Sequence, residues 1–276
     1  MSTWPLFALA LLQGISEIFP ISSLGHSILV PALLAWPLDR QADWFLPFLV
    51  VLHAGTALAL VLYFWRDWVR LLGAVWRSRG NLHDPASRLF WLLLIASLPA
   101  GVAGLLLEQP LRHLFSGFAS VAVILMVNGL LLLWGDRLKP PQASPMLETL
   151  SWKRALGIGL AQMLALVPGL SRSGVTLVAG VAAGLDYAAS ARFSFLLATP
   201  LILAASGLEV PKLLRYSRVI PLEVSVAAGL LAGLAVYLST WLLQRYFQRQ
   251  EASQELRPFG LYCLLLGLGA LVVQSL

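Results

Sequence analysis

The chain has 276 residues, of which 59% are hydrophobic and 12% charged, and its mean hydropathy is +0.81. Because a soluble domain has about 25% charged residues, this composition excludes that class and indicates an integral membrane protein. The net charge of +6 does not indicate nucleic-acid binding, since the basic residues lie in loops between apolar stretches, and the single cysteine, Cys263, excludes an intramolecular disulfide.

The first element predicted along the chain is a pair of short helices joined at Pro20. The apolar stretch 4–12 is too short to cross a bilayer, which takes about 20 residues, and proline breaks the helix. A second short apolar helix is expected over about 23–36. Such broken helices are tolerated at membrane depth only inside the protein or along a water-filled cavity, so we predict a re-entrant hairpin.

Three transmembrane helices are predicted next, since each apolar stretch approaches the length of a span. They cover about 44–65, 89–107 and 114–135. A polar linker over about 136–154 follows them and contains Pro140 and Pro141. This linker divides the chain into two halves of similar length.

The second half repeats the order of elements. A short apolar run, 155–167, ends at Pro168, and a short helix is expected over about 172–185. Three further spans are predicted, at about 193–210, 224–243 and 258–276. The second half therefore also consists of one hairpin and three crossings.

The two hairpins align without a gap when Gln13 is placed on Gln162, an offset of 149 residues. We therefore predict internal repeats over about 1–135 and 155–276. Because each repeat crosses the membrane an odd number of times, the repeats are expected in opposite orientations. The predicted fold class is an all-α polytopic membrane protein with inverted-topology repeats, two re-entrant helical hairpins and about six transmembrane helices.

Lysine and arginine counts predict the orientation in the membrane. Twelve of these residues fall in the loops over 66–88, 137–154 and 245–257, and five fall on the other side. Because basic residues accumulate on the cytoplasmic side, both termini are predicted to face outward. The first hairpin then enters from outside and the second from the cytoplasm, so their tips can meet near the middle of the bilayer.

Polar residues of the first hairpin could carry chemistry, because such groups at membrane depth usually line a site. Gln13 and Glu17 lie on one helix face and could hold a hard cation such as Mg²⁺, or they only bond a neighbouring helix. Ser22 is expected to cap the second helix, and Gly25 permits close backbone approach. His26 is either a general acid, base or nucleophile, or a packed, hydrogen-bonded histidine.

Arg172 is the charged residue of the second hairpin, flanked by Ser171 and Ser173. Its planar guanidinium suits phosphate oxygens, and the hydroxyls and free backbone N–H groups around it complete an anion-binding cradle. The alternative is that Arg172 forms a salt bridge with Glu17 simply to bury both charges. Two helix N-termini aimed at one point, together with this arginine, predict a site for phosphate or pyrophosphate.

At these residues the chain resembles a known family, the bacterial undecaprenyl pyrophosphate phosphatases. The first motif of the family corresponds to residues 13–26, and its second motif corresponds to residues 168–176. Similar stretches begin at two further positions, Leu52 and Arg192. The resemblance therefore covers nearly the whole chain.

The resemblance implies hydrolysis of undecaprenyl pyrophosphate to undecaprenyl phosphate with a divalent cation, Mg²⁺ or Ca²⁺. This reaction recycles the lipid carrier of peptidoglycan synthesis and raises bacitracin tolerance. The catalytic residues implied by position are Glu17, Ser23, His26 and Arg172. The implied phosphate-binding residues are Ser22, Gly25, Ser171, Ser173, Gly174 and Thr176. The expected metal ligands are Gln13 and Glu17.

Several alternatives stay open. The nucleophile is Ser23, His26 or a metal-activated water. A transporter or flippase for isoprenyl phosphate would have the same inverted repeats and broken helices. Acid-phosphatase-like lipid phosphatases are set aside, because they need a second histidine after the arginine and none follows His113. Leu24 replaces a threonine that is common in the family, and Gln13 is the less acidic option at its position, which could weaken metal binding.

The expected partners are undecaprenyl pyrophosphate and membrane lipid, with no nucleic acid and with a homodimer left open. The expected location is the bacterial inner membrane, with the active site facing the periplasm. His53 is expected to make a helix-packing hydrogen bond, and Arg192 is expected to serve as a topological anchor or an ion pair near Asp186.

Overall fold

The computed structural model describes residues 3–39, 42, 44–115, 117–138, 147–213, 220–248 and 256–275. Within these ranges the chain forms α-helices and two short 3₁₀-helices, Leu147–Thr149 and Met163–Leu166, and no strand. The α-helices of the first half are α1 (Trp4–Ile18), α2 (Ser23–Leu33), α3 (Phe45–Tyr63), α4 (Trp65–Ser78), α5 (Pro85–Phe115) and α6 (Phe118–Gly135). Those of the second half are α7 (Trp152–Gln162), α8 (Arg172–Ala182), α9 (Tyr187–Leu213), α10 (Leu222–Gln248) and α11 (Arg257–Ser275).

Within the described part of the chain, five helices are long and apolar enough to cross a membrane, namely α5, α6, α9, α10 and α11. Helices α3 and α4 meet the same criteria of length and hydropathy when taken together, and a bend of 74° lies between them. The six predicted spans correspond to α3 and these five helices. Large apolar side chains such as Leu105 and Leu265 are exposed on them, as expected where helices face lipid. The prediction of an all-α polytopic membrane protein is confirmed.

Helix α4 lies in a region that the sequence analysis left as a loop. It exposes Trp65, Val69 and Trp76, and it also carries three arginines. A basic amphipathic helix that turns away from the preceding span is typical of the membrane interface, where apolar side chains reach lipid and arginines reach the headgroups. A search for continuous apolar runs missed this helix, because the arginines interrupt its apolar stripe.

The two predicted hairpins are formed by α1 with α2 and by α7 with α8. Helix α1 ends at Ile18, because the backbone of Phe19 is extended and Pro20 cannot continue a helix. In the second hairpin the chain turns at Gly169, whose φ of +105° is favourable for glycine. Each hairpin therefore has its break between two short helices, as expected for a segment that does not cross the bilayer.

Corresponding helices of the two halves pack in a similar scheme. α1 lies against α10 and α7 lies against α5, while α3 packs on α9 and α6 packs on α11. The hairpin tips are in contact, since a Cβ added to Gly25 would lie 3.5 Å from the Cα of Gly169, and one added to Gly174 would lie 3.3 Å from Pro20. These two contacts are equivalent at the offset of 149 residues. The tips therefore meet, while the inverted orientation of the repeats stays a prediction.

Some residues used in the predictions lie outside the described ranges. They include both chain ends and the centre of the predicted linker, residues 139–146, with its two prolines. Five basic residues counted for the orientation are also outside, namely Arg40, Lys139, Arg215, Arg218 and Arg249. The membrane orientation and the linker boundaries therefore stay predictions.

Candidate active site

A cavity of about 170 Å³ lies where the two hairpins meet α3, α5 and α9. Its polar lining consists of Glu17, Ser22, Ser23, His53, Gln162, Ser171 and Arg172. Its apolar lining includes Leu166, Leu201 and Ile202. The cavity has room for a small polar group but not for a long lipid chain, and it is the candidate active site.

An ion pair joins the two hairpins at this cavity. The Nη2 of Arg172 donates a hydrogen bond to the Oε1 of Glu17 at 2.7 Å. The two side chains are only 15% and 4% exposed, so two charges that would be costly to bury singly are buried together. The salt bridge that the sequence offered as an alternative is therefore present, and both partners still line the cavity.

The second carboxylate oxygen of Glu17, Oε2, is held by residues of the first hairpin and of α3. It accepts hydrogen bonds from the Oγ of Ser23 at 2.7 Å and from the Nε2 of Gln13 at 2.8 Å. The Nε2 of His53 lies 3.4 Å from the same oxygen. With Arg172 on Oε1, the structure brings three other predicted site residues around the carboxylate of Glu17.

His53 belongs to this cluster, although the sequence analysis did not assign it to the site. Its Nδ1 lies 2.8 Å from the carbonyl oxygen of Leu49, and its Nε2 lies 2.9 Å from the Nε2 of Gln13. With a proton on Nδ1, the ring donates to Leu49 and accepts from the amide of Gln13. The expected packing hydrogen bond exists, but the ring also lines the cavity. The resemblance of the segment that begins at Leu52 was the available signal.

A serine caps the second helix of each hairpin. The Oγ of Ser22 accepts a hydrogen bond from the backbone N–H of Gly25 at 3.2 Å, which confirms the predicted cap. The Oγ of Ser171 accepts from the backbone N–H of Gly174 at 3.1 Å. Both serines line the cavity, so the N-terminal ends of α2 and α8, which favour anions, face it.

Asn128 of α6 connects the two hairpins and was missed in the sequence. It is fully buried, its Nδ2 donates to the carbonyl oxygen of Pro20 at 3.0 Å, and its Oδ1 accepts from the backbone N–H of Ser171 at 2.9 Å. One amide therefore satisfies one backbone group from each hairpin. The signal was an asparagine inside an otherwise apolar span.

His26 is directed toward α11 rather than toward the cavity. Its Nδ1 lies 2.7 Å from the carbonyl oxygen of Ser22, and its Nε2 lies 2.8 Å from the hydroxyl of Tyr262. The His26 and Tyr262 rings are stacked with centroids 5.6 Å apart. This is the geometry of a packed, hydrogen-bonded histidine, the second of the two roles considered from the sequence.

The other predicted phosphate-binding residues support the hairpin tips and are not among the residues that line the cavity. Ser173 donates to the carbonyl oxygen of Phe19 at 3.1 Å, which links α8 to the first hairpin. Thr176 donates to the carbonyl oxygen of Arg172 at 2.7 Å, within α8. Gly25 and Gly174 are the positions at which the tips touch.

Gln162 lines the cavity and is 1% exposed, yet it has no internal hydrogen bond. Neither its Nε2 nor its Oε1 has a partner among the described residues. A buried polar group without a partner costs about 1–3 kcal/mol. The sequence analysis aligned Gln162 with Gln13 but gave it no role.

The residues of the cavity fit a divalent cation only as a partial set of ligands. Among the described residues, no group of three or more histidine, cysteine, aspartate or glutamate side chains is placed to hold a metal. Mg²⁺ is usually bound by one or two carboxylates, with waters and substrate phosphates completing its shell. Glu17 can supply such a carboxylate. Gln13, the other expected ligand, faces Glu17 with its Nε2, while its Oε1 accepts a 3.4 Å hydrogen bond from Ser27, and it is not among the residues that line the cavity.

A second, larger cavity of about 500 Å³ is lined by charged residues of α4, α9 and the first 3₁₀-helix. Its arginines are paired, Arg70 with Glu148 at 2.8 Å and Arg192 with Asp67. The ion pair expected for Arg192 is therefore found, with Asp67 as a partner. Because these arginines are about half exposed, solvent screens their charge more than that of the buried Arg172, and this cavity is a weaker candidate for binding a phosphate.

Comparison with known proteins gives consistent matches over the chain. The profile of the family described as bacitracin resistance protein BacA matches residues 6–269. A relative from Chromobacterium violaceum named undecaprenyl-diphosphatase 2 is 54% identical over 264 residues, 95% of each chain. An undecaprenyl-diphosphatase from Granulibacter bethesdensis is 49% identical over 96% of this chain and 94% of its own. The undecaprenyl-diphosphatase 2 of Burkholderia lata is 46% identical over 97% of this chain and 95% of its own.

Proposed function

The chain belongs to the bacitracin resistance protein BacA family, and we propose that it is an undecaprenyl-diphosphatase that hydrolyses undecaprenyl pyrophosphate to undecaprenyl phosphate and phosphate. The observation that supports this most directly is the buried pair of Glu17 and Arg172, which the two hairpin tips bring to one small cavity. The guanidinium of Arg172, together with two helix N-termini at the same cavity, is suited to binding a diphosphate group.

Binding depends on Arg172 and on the first turns of α2 and α8. The guanidinium has five N–H donors, and the contact with Glu17 uses only Nη2, so others can reach phosphate oxygens. The helix N-termini add partial positive charge on the same cavity. Together they stabilise the negative charge that develops on the bridging oxygen as the bond to phosphorus breaks.

Ser23 is the proposed nucleophile, because its hydroxyl already donates to the carboxylate of Glu17. Glu17 takes the proton while Ser23 Oγ bonds to the terminal phosphorus. The bond from that phosphorus to the bridging oxygen breaks, and undecaprenyl phosphate leaves. Water then hydrolyses the phosphoserine, releasing phosphate and restoring the hydroxyl. Retention of full activity by Ser23→Ala would replace this route with direct attack by water.

His26 is proposed to act as a positioning residue, because it contacts the carbonyl oxygen of Ser22 and lies away from the cavity. A divalent cation, Mg²⁺ or Ca²⁺, would be held by Glu17, with phosphate oxygens and water completing its shell, and would neutralise phosphate charge. Gln13, the other expected ligand, lies outside the cavity lining and supports Glu17 through its Nε2.

The protein is a multi-pass membrane protein, and we place it in the bacterial inner membrane with the cavity open toward the periplasm. The excess of basic residues in the loops assigned to the cytoplasm supports this orientation. An impermeant thiol reagent should label a cysteine placed at Arg77 only after cells are opened. A homodimer stays an expectation that the size of the protein in detergent would test.

The decisive experiment is phosphate release from undecaprenyl pyrophosphate by the purified protein in detergent, with Mg²⁺ or EDTA. Arg172→Ala is expected to lose activity by a factor of about 10²–10³ or more. Arg70→Ala is the matched control, because its exposed ion pair lies at the other cavity and contributes little. If folded wild-type protein releases no phosphate with any metal, hydrolysis is wrong, and transport of isoprenyl phosphate becomes the function to test.

A further inference from the structure

We infer that Gln162 binds the diphosphate head group, with its Nε2 donating a hydrogen bond to a phosphate oxygen. This inference rests on the proposed function and assigns a role to a residue outside the polar motif segments. It follows from a difference between two glutamines at equivalent positions of the two hairpins, Gln13 and Gln162.

Every polar atom of the Gln13 amide has a partner inside the protein. Its Nε2 donates to Glu17 and lies beside the ring of His53, and its Oε1 accepts from Ser27. Gln13 is fully buried, and it is not among the residues that line the cavity. Its amide is therefore part of the support of the site.

The residues equivalent to the partners of Gln13 are apolar in the second half. At the offset of 149 residues, Glu17 corresponds to Leu166 and His53 corresponds to Ile202. Both Leu166 and Ile202 line the cavity beside Gln162. The second half has kept the amide without the carboxylate and the imidazole that would satisfy it.

Gln162 also has no counterpart of the third partner of Gln13, which is Ser27. Ser27 corresponds to Thr176, whose hydroxyl donates within α8 and lies 2.6 Å from the hydroxyl of Ser194. Both atoms of the Gln162 amide are consequently unpaired among the described residues, at 1% exposure. A buried polar group of this kind is normally satisfied by water or by a ligand.

The chemistry of the cavity identifies the ligand as a phosphate next to an apolar chain. Arg172 shares the cavity with Gln162, and its guanidinium has N–H donors besides the Nη2 that contacts Glu17 and can bind a phosphate there, whose oxygens also accept from an amide N–H. Leu166, Leu201 and Ile202 form an apolar wall at Gln162. Gln162 therefore sits where the polar head group meets the isoprenoid chain, beside the phosphate that carries the chain.

The test compares Gln162→Leu with Gln13→Leu, a matched change at the equivalent position. Gln162→Leu is expected to raise the KM for undecaprenyl pyrophosphate and the Kd for inorganic pyrophosphate by about tenfold to a hundredfold, because one hydrogen bond to a charged group is lost. Its unfolding temperature in detergent without ligand should be unchanged or higher. Gln13→Leu should instead lower the unfolding temperature, because it leaves the hydrogen-bonding groups of Glu17, His53 and Ser27 without their buried partner.

Gln162→Glu is the second variant, and it should weaken pyrophosphate binding more than leucine does, since it adds a negative charge beside the anion. Unchanged affinity for pyrophosphate in both variants would overturn the inference. So would an unfolding temperature of Gln162→Leu as low as that of Gln13→Leu, because the amide would then have a structural partner. A wild-type protein that binds pyrophosphate but hydrolyses no lipid substrate would refute the proposed reaction and leave this comparison of binding constants valid.

Discussion

The two hairpin tips share a backbone arrangement and differ in the chemistry they bring to the cavity. In each, a serine caps the second helix, and a glycine three residues later receives the tip of the other hairpin. The first hairpin adds Glu17 and Ser23 to this arrangement, whereas the second adds Arg172 and the unpaired amide of Gln162. The carboxylate and the cation therefore come from opposite halves of the chain.

This division explains why neither half forms the site alone. A hairpin that carries only the carboxylate, or only the guanidinium, would bury an unpaired charge among apolar helices. Contact between the tips removes that cost and at the same time creates the cavity. Asn128 reinforces the contact by bonding one backbone group of each hairpin. Assembly of the halves and formation of the site are consequently one event.

Breaking the ion pair between the hairpins has the largest expected effect. Glu17→Gln leaves Arg172 as an uncompensated buried cation, and Arg172→Gln leaves Glu17 as an uncompensated buried anion, at a cost of about 3–5 kcal/mol each. The double variant should be more stable than either single variant, because no unpaired charge is left. Unfolding temperatures in one detergent measure this order, and phosphate release should be lost in all three.

The exposed pair at the larger cavity provides the control for this cycle. Arg70→Gln should change stability by only about 0–1 kcal/mol, because Arg70 is half exposed and screened by solvent. If both single variants of the buried pair behave like Arg70→Gln, the two hairpins are not held together by charge.

Removing the amide that bridges the hairpins has the next largest effect. Asn128→Leu keeps the number and branching of the side-chain heavy atoms but leaves the carbonyl of Pro20 and the N–H of Ser171 without a partner, at about 1–3 kcal/mol for each group. Activity should fall with stability, because the two groups belong to the tips that carry the cavity. Thermal unfolding and phosphate release on the same preparation check both effects.

A suitable control is Cys263→Ala, which removes the weak 3.5 Å contact from Asn128 to sulfur and the packing of one buried sulfur atom but leaves both hydrogen bonds to the hairpins in place. Its effect should be clearly smaller. Equal effects of the two substitutions would mean that Asn128 acts by packing and not by bridging the hairpins.

Local sequence signals predicted the parts of this site that depend on local structure. Pro20 and Pro168 located the breaks of the two hairpins, and Ser22 ahead of the first short helix located a cap, because these effects act within a few residues. The equivalent cap by Ser171 was not predicted. Charge inside an apolar stretch identified Glu17 and Arg172. The six spans followed from length and composition alone.

Residues brought in by tertiary packing could not be predicted in this way. His53 and Asn128 each stand alone in an apolar span, and nothing near them in the sequence indicates which hairpin they reach. The motif also gives no direction for its own side chains. His26 lies three residues after Ser23, yet it is directed toward Tyr262 while Ser23 is bonded to Glu17. The side that each residue faces is decided by packing between helices.

The smallest expected effect is a difference in stability between substitutions at the two capping serines, whose backbone conformations differ. Ser22 has a φ of +70°, in the left-handed region, whereas the φ of Ser171 is −90°. Alanine at either position loses the cap, at about 1 kcal/mol. Glycine adopts a positive φ freely, so Ser22→Gly also escapes a backbone strain of about 1–3 kcal/mol that Ser22→Ala retains. The advantage of glycine over alanine should therefore be greater at position 22 than at position 171.

Unfolding temperatures of the four single variants measure that difference, with each alanine variant as the control for its glycine partner. An equal advantage at both positions would contradict strain at Ser22 and make the two tips equivalent in their backbones. A greater advantage at position 22 would mean that the backbone is strained only in the first tip. In that tip Ser23, the residue after Ser22, donates a hydrogen bond to Glu17. Relief of the strain by Ser22→Gly should then lower activity while stability is retained, because the helix start that aims Ser23 is no longer fixed.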